Sequence, residues 1–123
     1  MLTPLAYGLA ILLNAMIILV GVRFLVVPHA AAAAYGVPAK EDGDAAYLSI
    51  KGVRDLSYGI LGLALLAFSD AHAAAWFMLI VTIAPLSDTL VVLRSGGTRA
   101  VAFGIHFATA VVMLIDTALL FAV

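Results

Sequence analysis

The sequence contains no cysteine and few charged residues. Without cysteine the chain has no disulfide bond, no thiolate nucleophile and no cysteine-ligated metal or iron–sulfur site. Six Lys and Arg residues stand against seven Asp and Glu residues, so a net charge of −1 offers no basic surface for nucleic acid. Only 11% of the residues are charged, whereas about a quarter is typical of a soluble domain.

Apolar residues dominate the composition instead. Hydrophobic residues make up 66% of the chain and the mean hydropathy is +1.22. A soluble core of this chain length is too small to hide so much apolar side chain. The composition therefore predicts an integral membrane protein whose main partner is the lipid bilayer, with residues 1–123 forming a single domain.

Four hydrophobic segments can be separated, at about 3–27, 45–68, 71–93 and 98–123. Each holds roughly 23 to 26 residues, which gives roughly 34 to 39 Å of helix and is enough to cross a bilayer. Backbone groups in lipid must be satisfied within the segment, and no strand-like alternation indicates a barrel. We expect an all-α fold, a bundle of four transmembrane helices.

The connections between these segments indicate an orientation. Pro28 and Gly36 bracket an alanine-rich stretch, PHAAAAAYG, which predicts a short surface helix between the first and second spans. All six basic residues lie in or near the first and third connections, namely Arg23, Lys40, Lys51, Arg54, Arg94 and Arg99. The positive-inside rule then places loops 1 and 3 in the cytoplasm and both termini outside, as expected for a bacterial inner (plasma) membrane protein.

The second segment carries charge in its middle, in the stretch KGVRDLSYG. Its polar residues follow the spacing i, i+4, i+7, i+8 and i+11, which places them on one helical face. They are Tyr47, Lys51, Arg54, Asp55 and Tyr58. At about 1.5 Å per residue the face extends about 15 Å into the segment, where a charge in lipid costs about 2.5–3.5 kcal/mol. We expect this face to point into the bundle.

The other three segments bring polar groups to the same half of the bundle: Arg23 in the first, Asp88 in the third and His106 in the fourth. We expect a buried cluster in which the arginines pair with the two aspartates and which opens toward the cytoplasm. Pro85 removes a backbone donor one turn before Asp88 and predicts a kink that frees the carbonyl of Val81. Asp116 has no cation at its depth, so it is protonated or faces a second wet pocket.

The residue types in this cluster suggest acid–base chemistry. Asp55 and Asp88 are the candidate acid and base, with His106 as a proton relay. The candidate substrate-binding residues are Arg23, Lys51, Arg54, Tyr47 and Tyr58, of which the tyrosines are expected to cap the cluster by hydrogen bonding. The nearby cations argue against a metal site, and no cofactor is expected. The alternative is a structural ion-pair network that only fixes helix register.

Several stretches resemble one family over nearly the whole chain. They are GVRFLVVP (Gly21 to Pro28), AAYGVP (Ala33 to Pro38), KGVRDLSYGIL (Lys51 to Leu61), PLSD (Pro85 to Asp88) and GIH (Gly104 to His106). The family consists of small four-helix membrane proteins of bacteria and fungi and is described as a domain of unknown function. The resemblance implies a four-helix membrane bundle with Arg23, Arg54, Asp55, Asp88 and His106 as polar family residues. The layout is also distantly similar to that of DoxX-type membrane subunits.

These observations favour a membrane protein with a polar pocket that binds a small lipophilic or anionic molecule. If the protein is an enzyme, isomerisation, cyclisation or epoxide opening fits the acid–base groups. One alternative is a proton-linked or small-solute transporter, which at this length requires a homo-oligomer. Another is an assembly subunit of a larger membrane complex. The sequence leaves the choice among the three open.

Overall fold

The computed structural model describes residues 1–123, and the chain is all-α, with no β-strand. The five helices are α1 (Leu2–Val26), α2 (Pro28–Tyr35), α3 (Ala45–Phe68), α4 (Ala71–Arg94) and α5 (Arg99–Ala122). The four predicted hydrophobic segments coincide with the long helices to within a residue at each end. Charged and glycine-containing turns bound the helices, because neither lipid nor a packed core accommodates such residues at low cost.

Three of the helices, α1, α4 and α5, are long and apolar enough to cross a membrane. All three expose many large apolar side chains on their outer surface, for example Leu5, Leu12 and Leu19 on α1. Such an outer surface is costly in water and suits hydrocarbon. Helix α3 has the same length but differs in composition, because Lys51, Arg54 and Asp55 lie near its middle.

Helices α1 and α3 form the most extensive pair and run close together. Small residues make this approach possible: Gly21 on α1 faces Gly52 on α3, and a β-carbon at Gly21 would stand 2.6 Å from the Gly52 carbonyl oxygen. Farther along, a β-carbon at Gly59 would stand 2.7 Å from the carbonyl oxygen of Asn14. Close backbone contact through small residues is the usual way that helices associate in lipid.

Helix α2 turns the chain back over the end of α1. Pro28 occupies its first turn, and Gly36 ends it in the left-handed conformation with φ of 101°. That φ suits glycine, which has no β-carbon to clash. Ala31 and Ala32 are buried against Phe24 of α1. This contact brings the end of α2 over the space between the long helices.

Helices α4 and α5 both depart from regular α-helix. The α-helical pattern of α4 is interrupted at Thr82, near the Val81 carbonyl that Pro85 leaves without its usual donor. The residues of α5 from Ala102 to Phe107 form a π-helical segment. On the far side of these interruptions the helices pack around an apolar core of Ala6, Ala10, Ala74, Ala75, Met78, Met113 and Leu120.

A cavity with acid–base groups at one end

All five helices contribute to one cavity of about 580 Å³. Pockets for small molecules usually measure about 300–1,000 Å³. Most of its lining residues are hydrophobic. Every site residue predicted from the sequence also lines it, namely Arg23, Tyr47, Lys51, Arg54, Asp55, Tyr58, Asp88 and His106. The four long helices thus bring these residues to one space.

The cavity has two chemically different ends, because the charged residues of the long helices that line it all lie toward α2. At the end near α2 it is lined by charged groups such as Arg23, Lys51 and Asp88. At the other end its walls are Leu13, Met78, Met113 and their neighbours. From Leu13 to Phe24 along α1 the lining extends over eleven residue steps, or about 16 Å.

The one ion pair in the structure joins Lys51 to Asp55, with 2.7 Å between Nζ and Oδ2. The expectation that arginines pair with the aspartates is therefore wrong. Lys51 lies one helical turn before Asp55, so its side chain reaches the carboxylate along the same face. Arg54 is adjacent in sequence and therefore turned by about 100° from Asp55, and it is exposed.

Asp88 takes its hydrogen bond from Tyr35 at the end of α2, whose hydroxyl donates to Oδ2. Burial raises the pKa of Tyr35 far above its ordinary value of 10.0, and the neighbouring Asp88 carboxylate raises it further. The hydroxyl therefore keeps its proton and remains a donor at any physiological pH. Tyr35 of the short helix α2 thus fixes the Asp88 carboxylate of α4 by a hydrogen bond.

His106 contacts the same residue through the backbone. Its Nε2 lies 2.7 Å from the carbonyl oxygen of Tyr35, and the histidine is buried. A carbonyl oxygen only accepts, so Nε2 must carry the hydrogen and donate it. In neutral His106 the other ring nitrogen, Nδ1, is then free to accept a proton. The two rings also lie against each other, with centroids 4.2 Å apart.

The aromatic ring of Tyr35 also faces the charged pair on α3. Lys51 Nζ lies 4.2 Å from the centre of the Tyr35 ring and 4.8 Å from that of Phe24. The two aromatic rings meet edge to face at 5.5 Å. Cation–π contacts of this kind stabilise a cation that is partly removed from water. Tyr35 therefore connects Lys51, Asp88 and His106, which belong to three different helices.

Sequence reasoning missed this central position of Tyr35, because the residue belongs to the predicted surface helix and not to one of the four hydrophobic segments. The one available signal was its position directly before Gly36 in the AAYGVP stretch. Tyr47 and Tyr58 were expected to cap the cluster. Both line the cavity, but they are 75% and 42% exposed and neither hydroxyl has a hydrogen-bond partner. The expected capping role therefore belongs to Tyr35 alone.

Among the other buried polar residues, Asn14 carries an amide group and Asp116 a carboxyl group. Asn14 on α1 lines the cavity and donates from Nδ2 to the Ala10 carbonyl at 2.8 Å. Asp116 on α5 is fully buried, and neither of its carboxylate oxygens has a hydrogen-bond partner. It does not line the central cavity. No three His, Asp or Glu side chains lie close enough together to hold a metal ion.

The comparisons with known proteins agree with the resemblance seen in the sequence. A family model described as "Domain of unknown function (DUF4267)" matches residues 14–120. The matched region includes all five helices in whole or in part and every residue at the charged end of the cavity. No curated protein and no solved structure matches the chain.

Proposed function

Since the chain belongs to the DUF4267 family of domains of unknown function, we propose its function from the cavity itself. The protein is a membrane-embedded binding site for a small lipophilic molecule, on which it carries out acid–base chemistry. One observation carries this proposal: the cavity of about 580 Å³ joins an apolar end to an end that holds two carboxyl groups and a histidine. The apolar end suits a lipophilic body, and the charged end suits proton transfer.

The proposal includes α3 as a fourth membrane span. Helix α3 has 24 residues, or about 36 Å, and lies along α1. Its charged residues line the cavity, so they can avoid contact with the lipid tails, where a charge is costly. With four spans, the six basic residues favour loops 1 and 3 in the cytoplasm and both termini outside. A helical bundle of this kind fits the bacterial inner membrane.

Asp88 is the residue best placed to act as a base. It lines the cavity, is half-buried, and has its single side-chain hydrogen bond from Tyr35. It can take a proton from a carbon or oxygen of the bound molecule. In an isomerisation the C–H electron pair then shifts a double bond, and the proton returns at another carbon. Such a step consumes no oxidant, reductant or co-reactant.

Asp55 and His106 supply the other proton positions in this scheme. The Asp55 carboxylate is held in place by Lys51 and lines the same cavity. His106 presents an unused ring nitrogen once its Nε2–H is bound to the Tyr35 carbonyl. A protonated carboxyl or imidazolium group returns the proton that Asp88 removes. We assign the acid role to Asp55 and the relay role to His106.

The test separates binding from chemistry. The protein is extracted with its surrounding lipid in polymer nanodiscs, incubated in D₂O, and its bound small molecules are analysed by mass spectrometry. We expect the wild type to incorporate deuterium at a carbon position of the bound molecule. Asp88→Asn should retain the molecule but lower the incorporation rate at least about 100-fold, as expected for loss of a general base.

Asp42→Asn is the matched control, because Asp42 is an exposed loop residue away from the cavity. It should behave as the wild type. Equal deuterium incorporation in the Asp88→Asn protein would contradict the base role. Absence of any small molecule from the wild-type nanodiscs beyond bulk lipid would contradict the binding site itself.

A further inference from the structure

Two arginines at the charged end of the cavity have no partner in the chain. Arg23 on α1 and Arg54 on α3 both line the cavity, and neither makes a hydrogen bond or an ion pair. The two carboxylates nearby are already engaged, because Asp55 binds Lys51 and Asp88 accepts from Tyr35. The cavity wall therefore has three cationic side chains against two carboxylates.

The packing of α1 on α3 places these arginines at nearly the same height. The two helices run in opposite directions, with Gly21 opposite Gly52 to Leu56 and Asn14 opposite Gly59 to Gly62. In this register Arg23 is level with Gly52, two residues from Arg54 along α3. Two residues correspond to about 3 Å along the helix axis. Two guanidinium groups from adjacent helices thus reach one part of the cavity.

An unpaired arginine at this position is costly. Arg54 lies ten residues after Asp44, or about 15 Å along α3. Depths of that order place a cation near the centre of a bilayer, where it costs about 2.5–3.5 kcal/mol on insertion scales. The usual remedy at such a depth is a counter-charge, and the chain itself provides none for Arg54. Arg23 lies in the last turn of α1 and lines the same cavity. An anion from outside the chain is the remaining source.

We propose that the cavity binds an amphipathic anion. A phosphate or carboxylate head lies between Arg23 and Arg54, and an apolar tail extends along α1 toward Leu13, Met78 and Met113. Guanidinium groups bind both head types through paired, parallel hydrogen bonds. The tail end is lined mainly by hydrophobic side chains, which along α1 extend from Leu13 to Val20, or about 10 Å. This inference rests on the binding site proposed above and names the class of its ligand.

Two sources supply this chemistry: a phospholipid of the membrane or a free single-chain anion. The test uses dodecyl phosphate as the anionic probe and dodecanol as its neutral counterpart. Both are titrated into the full-length protein in nanodiscs of phosphatidylcholine, and binding is followed by calorimetry. We expect dodecyl phosphate to bind at least about 10-fold more tightly than dodecanol, which corresponds to about 1.4 kcal/mol.

Arg54→Gln and Arg23→Gln should each weaken dodecyl phosphate binding about 10- to 100-fold and leave dodecanol binding unchanged. Arg94→Gln removes the same charge from the end of α4, outside the cavity, and should bind both probes as the wild type does. Arg54→Lys keeps the charge but not the paired hydrogen bonds. Its affinity for dodecyl phosphate should fall between those of the wild type and Arg54→Gln. If the glutamine variant does not fold, Arg54→Lys takes its place in the test.

The remaining outcomes identify the source or overturn the inference. If added phosphatidylglycerol displaces dodecyl phosphate, the anionic head is that of a membrane phospholipid, and if it does not, a free single-chain anion is supported. Equal binding of dodecanol and dodecyl phosphate would overturn the anionic head and leave the lipophilic pocket intact. Inorganic phosphate binding as tightly as dodecyl phosphate would overturn the apolar tail. Failure of both dodecyl probes to bind would instead contradict the proposed binding site.

Discussion

At the scale of single residues, Tyr35 determines how the charged end of the cavity is arranged. Its hydroxyl, its carbonyl and its ring each contact a different functional group: Asp88, His106 and Lys51. A single side chain at the end of a short helix therefore connects three long helices. Removal of the hydroxyl alone tests this arrangement with the smallest change in volume.

Tyr35→Phe should lower the free energy of unfolding by about 1–3 kcal/mol, because the Asp88 carboxylate loses its only side-chain donor. It should also change the pH dependence. The pKa of Tyr35 in the folded protein is raised above the unfolded value of 10.0. The contribution of Tyr35 to the free energy of unfolding is therefore complete below about pH 10 and falls as the pH rises beyond that value. Unfolding in mixed micelles between pH 8 and about pH 11 measures both effects.

The wild type should lose stability above about pH 10 more steeply than Tyr35→Phe, with a difference of up to about 1.4 kcal/mol per pH unit. Tyr47→Phe is a suitable control, because the Tyr47 hydroxyl is exposed and unbonded. It should match the wild type in both respects. Parallel pH curves for the wild type and Tyr35→Phe would show that the Tyr35–Asp88 contact is not formed.

The sequence indicated which polar residues line the cavity better than it indicated their partners. Helical spacing and depth were enough to place Asp55, Asp88 and His106 at one space between the helices. Lys51 is the partner of Asp55 because it lies four residues away on the same face of α3, whereas Arg54 is turned from Asp55 by about 100°. The expected arginine pairs did not take this rotation into account. The role of Tyr35 depends on where α2 folds back, which no periodicity describes.

At the scale of helices, the pairing of α1 with α3 supports one wall of the cavity. Gly21 and Gly52 allow the two backbones to meet, and the register that they set brings Arg23 level with the charged part of α3. This contact leaves no room for a β-carbon. The geometry of the wall is therefore sensitive to additions of a single methyl group.

Gly21→Ala should destabilise the protein by about 1–3 kcal/mol, as overpacking in a well-packed interface does. The new β-carbon would stand 2.6 Å from both the Gly52 carbonyl oxygen and the Leu56 amide nitrogen, and backbone atoms cannot move aside locally. Gly8→Ala on the same helix is the control, because nothing lies within 4 Å of its β-carbon position. Unfolding in mixed micelles compares the two.

Gly8→Ala should leave stability unchanged or slightly higher, since alanine has the better helix propensity. If the two variants unfold alike, α1 and α3 do not approach each other as closely as the structure indicates.

The bounds of the long helices were predicted well from the sequence, because the apolar runs end where charged residues, Pro28 or the Gly96–Gly97 pair begin. Which small residues of α1 and α3 meet depends on the register of the two helices, and the apolar runs do not define it.

At the scale of the whole molecule, the question is whether α3 crosses the membrane. Three helices qualify by length and composition, and α3 qualifies only if its charges are shielded by the cavity. The natural absence of cysteine makes this measurable, because one introduced cysteine is the only thiol in the chain. The exposed residues Glu41, Ser69 and Ser95 lie in three successive connections.

Labelling of Glu41→Cys, Ser69→Cys and Ser95→Cys with a membrane-impermeant maleimide on spheroplasts tests the four-span topology. We expect labelling of Ser69→Cys only, because the first and third connections carry the basic residues. Lysed membranes, in which all three cysteines should react, provide the control. Equal labelling of Glu41→Cys and Ser69→Cys on intact spheroplasts would show that both connections lie on one side and that α3 does not cross.

The π-helical segment of α5 has a consequence for how such a chain can change over time. A π turn holds about one residue more than an α turn, so the segment from Ala102 to Phe107 accommodates an extra residue without turning the two flanking parts of α5 relative to each other. Deleting one residue there would let α5 return to regular α-helical geometry, with the apolar core around Met113 and Leu120 still in place. The residues inside the segment, His106 among them, would turn to new directions. A one-residue change in length is therefore better tolerated by the core here than elsewhere in α5, and its cost falls on His106 and the charged end of the cavity.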